Sequence, residues 1–142
     1  MLSENIKITS ALDYASGTAD REGAALDMKG FDGVLMIVKF ATIAAGAVTS
    51  IKAQQGDESD LSDAADLEGT SQAVAADDDD EVYYIDLWQP QKRYVWLYVD
   101  KDASNACAES AIYVQYQAKD RPTTHASGVT GEAHVAPDEG TA

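Results

Sequence analysis

Short runs of alternating apolar and polar side chains recur along the chain, and they limit the possible fold more than any other feature of the sequence. A run of this kind matches a β-strand, because successive side chains of a strand point to opposite faces of a sheet. About seven or eight such runs are separated by turn-prone segments, while helical periodicity is scarce. This pattern predicts an all-β fold, a jelly-roll-like antiparallel β-sandwich that closes its sheets around one core.

The predicted strands differ in how deeply they should be buried. Residues 5–13 alternate and predict the first strand, whereas residues 34–42 (VLMIVKFAT) are apolar almost throughout and predict a strand buried on both sides. The short AAG turn that follows predicts a hairpin between 34–42 and residues 47–55. Further strands are expected near 71–75 and at 81–88, 93–101 and 108–119.

Two segments are too polar to build a core. Residues 56–81 form a long acidic loop, and residues 121–142 form a polar C-terminal arm or a disordered tail. Residues 1–120, with the acidic loop included, are therefore expected to be one β-sandwich domain.

The charge of the chain restricts its partners. Ten Lys and Arg oppose 25 Asp and Glu, which gives a formal net charge of -15. Nucleic acids and anionic membranes are bound mainly through Lys and Arg, so we expect neither as a partner. The single Cys107 excludes an internal disulfide, and the first residues lack the pattern of a signal peptide. The longest apolar run is interrupted by Lys39 and is too short to span a bilayer.

No metal or cofactor site is predicted. Four consecutive aspartates, 77–80, could suggest calcium, but an unbroken acidic run points most of its charges apart into solvent. His125 and His134 lie in the polar tail without the cysteine or carboxylate spacing of a zinc site.

Catalytic residues are equally hard to find. Cys107 has no histidine nearby in the predicted sandwich that could activate it. Asp86 and Asp100 are the only carboxylates on predicted strands that could serve glycoside hydrolysis, and neither has an acid or base partner. We therefore predict a protein without enzymatic activity, and a catalytic domain that uses these two aspartates is the weakest alternative.

The most informative feature is a face of aromatic residues. In KRYVWLYVDK, the aliphatic residues occupy one set of alternating positions and the aromatic residues the other. The strand EVYYIDLW could place Tyr84 and Trp88 on the same surface, and AIYVQYQ adds Tyr113. The candidate interface residues are Tyr84, Trp88, Tyr94, Trp96, Tyr98 and Tyr113. Tyr and Trp are enriched at protein interfaces, although the same face could instead pack against the other sheet or the acidic loop.

Three segments, in this order, resemble a family of tailed-bacteriophage capsid decoration proteins, also called cement or head-stabilising proteins. They are VTSIKAQQ, QPQKRYVWLYVDK and IYVQYQAKDRPTT, and the similarity covers roughly residues 5–124. The resemblance implies a jelly-roll β-sandwich that acts as a structural virion protein and has no enzymatic activity or cofactor. It also implies two partners, the major capsid protein and the chain itself as a homodimer or homotrimer. The location it implies is the outer surface of the virion capsid, after synthesis in the cytoplasm of a host bacterium.

A carbohydrate-binding β-sandwich module is the alternative from another functional class. In such a module, exposed Trp88, Trp96 and neighbouring tyrosines would stack on sugar rings. A sandwich with an aromatic face permits this function as well as the structural one.

Overall fold

The computed structural model describes residues 1–136 and 139, and strands dominate this part of the chain. A short 3₁₀ helix, Leu2–Glu4, precedes them. The strands are β1 (Lys7–Gly17), β2 (Arg21–Glu22), β3 (Leu26–Asp27), β4 (Phe31–Ile43), β5 (Thr49–Gly56), β6 (Ala65–Asp66), β7 (Gln72–Val74), β8 (Val82–Trp88), β9 (Tyr94–Lys101) and β10 (Cys107–Ala118). The predicted strand near 71–75 is confirmed as β7, while β2, β3 and β6 were not predicted.

The strands form two antiparallel sheets. The first sheet has the order β1-β10-β4-β8. The second has the order β2-β9-β5-β6, with β3 also paired to β9 and β7 also paired to β5. If β2 and β3 are taken as two pieces of one strand, and β6 and β7 as two pieces of another, the chain visits the two sheets in the order of a jelly roll. The predicted antiparallel β-sandwich is therefore confirmed.

The predicted hairpin between residues 34–42 and 47–55 is wrong. β4 pairs with β10 and β8 in the first sheet, whereas β5 pairs with β9 in the second. The turn does form, since the amide of Ala47 donates to the carbonyl of Ala44 at 3.0 Å. A short turn determines that the chain reverses direction, but not which strands pair. Here the chain passes from the first sheet to the second at this turn.

Both sheets turn one set of alternating side chains inward. The inward side of β4 consists of Val34, Met36, Val38 and Phe40, which are fully buried. Ile51, Val95, Leu97 and Val99 face them from the second sheet and are also fully buried. This core confirms the aliphatic face that was predicted for the segment KRYVWLYVDK.

Tyr113 belongs to this core, so its prediction as an interface residue is wrong. The side chain is fully buried, and its hydroxyl oxygen accepts a hydrogen bond from the amide of Leu97 at 2.9 Å. Burial raises the pKa of this hydroxyl. The hydroxyl reaches the second sheet beside Gly23, where an added Cβ would overlap it. Tyr113 thus links the two sheets from the inside.

A buried ion cluster joins the sheets at one end of the sandwich. Glu109 of β10 is fully buried and lies 2.9 Å from Arg21 of β2 and 2.9 Å from Lys101 of β9. Lys101 also donates to the carbonyl of Cys107 at 3.0 Å. Removing one member of a buried ion pair typically costs about 3–5 kcal/mol, so this cluster depends on all of its members.

The first part of the C-terminal arm runs along β1, an edge strand of the first sheet. The amides of Thr123 and Ala126 donate to the carbonyls of Glu4 and Ile8 at 3.0 and 3.1 Å. The ring of His125 accepts a hydrogen bond from the amide of Ile8 at 3.1 Å. These contacts cover backbone groups that an open sheet edge would otherwise expose. The boundary at residue 120 remains a prediction, and residues 137, 138 and 140–142 of the predicted arm lie outside the described residues.

Candidate interaction surface

The outward side of the first sheet carries apolar residues on all four strands, and we call this set the outer apolar face. It consists of Ile8 on β1, Ile112, Val114 and Tyr116 on β10, Leu35 and Ile37 on β4, and Val82, Tyr84 and Trp88 on β8. Ile37 is its centre, since it is paired with Ile112 on one side and with Tyr84 on the other. Tyr84 is 63 % exposed and Ile112 is 41 % exposed. Contiguous exposed apolar patches of this kind typically mark interaction sites.

The sequence predicted that β4 is buried on both sides, and this prediction is wrong. Val34 and Met36 point into the core, whereas Leu35 and Ile37 are only half-buried and Lys39 is exposed. No other element within residues 1–136 forms a second layer over this side of the sheet. The continuous apolar run thus builds two surfaces, one for the core and one that faces outward.

Charge is scarce on the outer apolar face. On the outward side of β4, β8 and β10, the charged residues are Lys39 and Asp86. The ammonium of Lys39 donates to the carbonyl of Asp80, and the hydroxyl of Tyr116 donates to Asp86 at 2.6 Å. Burial, together with this hydrogen bond, raises the pKa of Tyr116 to about 12. Both charges are therefore already bonded within the chain.

Gly33 lets two aromatic rings settle on the face. Its register pairs it with Trp88 on one side and Tyr116 on the other. A Cβ added at Gly33 would overlap the Tyr116 ring, so only glycine leaves room for that ring to lie across the strand. Trp88 and Tyr116 then stack, with ring centroids 6.0 Å apart and planes inclined by 19°. The exposed Trp88 is consequently held in a defined position.

The outward side of the second sheet is different, and we call it the covered face. It carries Trp96, which is fully buried although it does not point into the core between the sheets. The indole Nε1 donates to Oε1 of Gln54 at 2.8 Å. Gly56 lies between the ring and the acidic loop, since an added Cβ would sit 3.0 Å from the Trp96 ring and would overlap the carboxylate of Asp63. The prediction that Trp96 is an interface residue is therefore wrong, because the acidic loop covers it.

Carboxylates of the acidic loop keep it in place over Trp96. Asp63 accepts hydrogen bonds from the amides of Asp57 and Glu58 at 2.6 and 3.1 Å. Asp66 accepts from Lys52 at 2.8 Å and from Gln54 at 2.6 Å. These donors hold the pKa of both carboxyls below the ordinary value of 3.8. Some of the acidic residues of this chain thus stabilise its fold.

The two tyrosines of the covered face also have partners within the chain. The Lys52 ammonium lies 4.9 Å from the ring centre of Tyr98, and the guanidinium of Arg93 lies 5.2 Å from that of Tyr94. The hydroxyl of Tyr98 donates to Asp20 at 2.9 Å, which raises the pKa of Tyr98 to about 12. Both rings are half-buried.

The six candidate interface residues thus do not share one surface. β8 and β9 belong to different sheets, so the aromatic residues of the two strands are on different surfaces. Tyr84 and Trp88 lie exposed on the outer apolar face. Tyr94, Trp96 and Tyr98 lie on the covered face, and Tyr113 lies in the core. The aliphatic members of the outer apolar face were missed, although residues 34–42 and the set Ile112, Val114 and Tyr116 carried the signal of apolar positions on both sides of a strand.

The residues considered for chemistry are scattered. Asp86 and Asp100 point outward from different sheets and cannot act on one bond. Burial raises the pKa of the Cys107 thiol. Within the described residues, no three His, Cys, Asp or Glu side chains are grouped so that they could hold a metal ion. The same residues include no helix that is long and apolar enough to cross a membrane.

Comparisons with known proteins do not assign the chain to a family. No protein-family model matches the sequence, and no curated protein matches it. Among solved structures, the crystal structure of the SPBc2 prophage-derived protein YomS aligns with a TM-score of 0.47 at 17 % sequence identity. The alignment covers 77 % of this chain and 94 % of that chain.

Proposed function

We propose that this chain is a structural, non-enzymatic virion protein that binds the outside of an icosahedral phage capsid and stabilises adjacent major capsid subunits. The observation that carries the proposal is the outer apolar face, which no second layer of the described chain covers around Ile37. The resemblance of three sequence segments to capsid decoration proteins supplies the partner. A jelly roll that presents one face of a sheet to a partner suits this role.

The composition of the face fits attachment to another protein. Interface cores are depleted in charge and enriched in aromatic residues, and the outer apolar face has both properties. Tyr84 would act as an anchor, since buried aromatic residues contribute most of the binding energy at many interfaces. The aliphatic residues around Ile37 would exclude water from it.

The size of the face favours several copies acting together. Four strands spaced about 4.8 Å apart, with outward side chains about 6.6 Å apart along each, give a flat area of roughly 300–400 Å². A stable interface usually buries about 800 Å² on each partner. One face alone would therefore bind weakly, and a homodimer or homotrimer that engages several capsid subunits would gain by avidity.

Stabilisation would follow from mass action. A protein that binds only the mature arrangement of capsid subunits lowers the free energy of that arrangement by about 2.7 kcal/mol per site when its free concentration is 100 times the dissociation constant. The acidic remainder of the protein would face solvent and keep decorated particles apart.

Co-sedimentation with capsids tests the proposal. Purified chain is mixed with expanded, DNA-free capsids of the phage that carries the gene, and the bound fraction is measured against concentration. Tyr84→Lys and Ile112→Lys each place a charge on the outer apolar face, whereas Val48→Lys places it at another exposed apolar residue, 72 % exposed, outside that face.

We expect the unmodified chain and Val48→Lys to bind equally, and the two face variants to bind at least about tenfold more weakly, because a charge buried at an interface lacks a partner. Failure of the unmodified chain to bind, or equal binding by all three variants, would overturn the proposal.

A further inference from the structure

A groove opens at the edge of the sandwich where β8, the last strand of the first sheet, approaches β6, the last strand of the second. Its volume is about 400 Å³. Leu67 and Leu87 line it and also pack against the core, so its floor is apolar and fixed. Gln72 ties the two edges together nearby by donating to the carbonyl of Tyr84 at 2.8 Å. The groove is separate from the centre of the outer apolar face at Ile37.

Trp88 forms one wall of the groove as an exposed aromatic platform. Its side chain is 56 % exposed, and stacking against Tyr116 limits the movement of its ring. An exposed, positioned indole offers a flat apolar surface of a size that matches one six-membered sugar ring. Aromatic side chains are well suited to this task because they provide large contact area with little conformational freedom to lose.

Hydrogen-bonding side chains surround the same space. The groove is lined by Gln55, Glu68, Gln89 and Gln91 in addition to Trp88. The Oε1 atom of Gln55 is buried and accepts no hydrogen bond from any residue within 1–136 or 139. Each amide can donate and accept, and the carboxylate accepts, so the set can satisfy neighbouring hydroxyl groups that both donate and accept.

The turn at the mouth of the groove has an unfavourable backbone conformation. Gln89 has a φ of 50°, in the left-handed region that non-glycine residues rarely adopt. Its amide donates to the carbonyl of Asp32 at 2.7 Å, which holds the turn against the first sheet. Residues kept in such conformations often lie at binding sites, since the rest of the fold must stabilise them.

We propose that this groove binds a neutral pyranose, as a monosaccharide or as one unit of a glycan chain. One face of the sugar ring stacks on Trp88, and its hydroxyl groups bond to Gln55, Gln89 and Gln91. The ligand is neutral because Glu68 and Asp66 line the groove and the chain carries a net charge of -15, so an anionic sugar would be repelled. A single ring in an open groove binds at about millimolar strength, as expected for a ligand of this size.

This inference is independent of capsid binding and adds a second task to the protein. Sugar binding uses the groove at the edge of the sandwich, whereas the proposed capsid contact is centred on Ile37. Only Trp88 belongs to both, and it lies at the border of the outer apolar face, at the end of the edge strand β8. A virion protein with both properties would hold a particle against glycan-bearing surfaces.

The two tryptophans make the test specific. Trp96 is fully buried and Trp88 is exposed, so a ligand in the groove changes the emission of Trp88 and leaves that of Trp96 unchanged. The full chain is titrated with a panel of neutral oligosaccharides of glucose, galactose, mannose and N-acetylglucosamine. Binding is followed by tryptophan fluorescence and, in parallel, by saturation transfer from protein to ligand in NMR spectra.

We expect at least one sugar of the panel to bind, with affinity reduced at least about tenfold in Trp88→Ala and in Gln55→Ala. Trp88→Phe retains binding, and Ile112→Lys binds the sugar as the unmodified chain does. Far-UV circular dichroism of each variant shows that the fold is kept. Absence of saturation transfer from every sugar at millimolar concentration, or binding that Trp88→Ala does not reduce, would overturn the inference. Gln55→Ala should still bind capsids, so that failure of one proposal is distinguished from failure of the other.

Discussion

Trp88 and Trp96 occupy outward positions on the two sheets of the same sandwich, yet one is 56 % exposed and the other is fully buried. The difference does not come from the strands, which carry aromatic residues at alternating positions in both cases. It comes from the chain that follows β5, which folds back over the second sheet through Asp63 and Asp66. The first sheet has no such cover within residues 1–136. An aromatic face becomes a surface or a second small core according to where a loop lies.

The acidic loop achieves this cover with few apolar side chains. Its carboxylates accept hydrogen bonds from backbone amides and from Lys52 and Gln54. Trp96 is thus enclosed by polar groups whose hydrogen bonds are satisfied within the loop and the strand below it. Some of the many acidic residues of the chain thus close this face.

Replacing the two tryptophans separately should give the largest contrast. Trp96→Ala is expected to lower the free energy of unfolding by about 3–5 kcal/mol, because it leaves a cavity and removes the partner of the Gln54 amide oxygen. Trp88→Ala is expected to change it by less than about 0.5–1 kcal/mol, as for other exposed residues. Urea unfolding followed by far-UV circular dichroism measures both. Equal losses of unfolding free energy in Trp96→Ala and Trp88→Ala would contradict the described difference between the covered face and the outer apolar face.

Crowding the contact between loop and ring should have a smaller effect. Gly56→Ala places a Cβ that overlaps Asp63 and lies 3.0 Å from the Trp96 ring, so we expect a loss of about 1–3 kcal/mol. Gly17→Ala is the matched control, since an added Cβ there meets no atom within 4 Å and the backbone conformation is an ordinary one. The same urea experiment compares them. A Gly56→Ala protein as stable as Gly17→Ala would show that the loop does not press on Trp96.

The smallest effect is expected from low pH, which should loosen the acidic loop over Trp96 without unfolding the sandwich. The carboxyls of Asp63 and Asp66 have pKa values below 3.8, held there by backbone amides and by Lys52. When folding lowers the pKa of a carboxyl, the carboxylate stabilises the folded state at every pH above its pKa in the unfolded chain. This stabilisation is lost as the pH falls through the lower pKa of the folded chain. In a Trp88→Phe background, acrylamide quenching of Trp96 should therefore stay low at neutral pH. It should rise only when the pH falls below 3.8, the ordinary pKa of an aspartate.

Circular dichroism in the same samples separates loosening of the loop from loss of the sandwich. If Trp96 becomes accessible near neutral pH, or stays shielded in acid while the fold persists, the carboxylates are not what holds the cover.

Much of the fold could be predicted from the sequence. The alternation in residues 93–101 predicted both the strand and the side that faces the core, because the period of a strand is two regardless of its neighbours. The alternation in residues 5–13 predicted the strand alone, and its Ile8 faces outward. The hairpin between 34–42 and 47–55 could not be judged in the same way. A turn specifies local geometry, and which strands pair depends on contacts between residues far apart in the sequence, such as β4 with β10.

The candidate surface was predicted only in part. Tyr84 and Trp88 are exposed as expected, whereas Trp96 and Tyr113 are inside. The amino-acid type is the same on both sides of this division, since aromatic side chains serve equally well in a core and at an interface. The apolar run that contains Ile37 was assigned to the interior because a strand with two apolar faces is usually covered on both.

The sequence by itself determined the class of fold, the position of most strands, and the acidic character of the loop and the whole chain. These properties depend on local periodicity and composition, which are complete in a short window of residues. Only the tertiary structure decided which apolar side of each sheet is covered, because cover is provided by distant segments: the acidic loop over Trp96, and none of the described residues over Ile37. The candidate binding surface of this protein is the apolar side that its own chain leaves open.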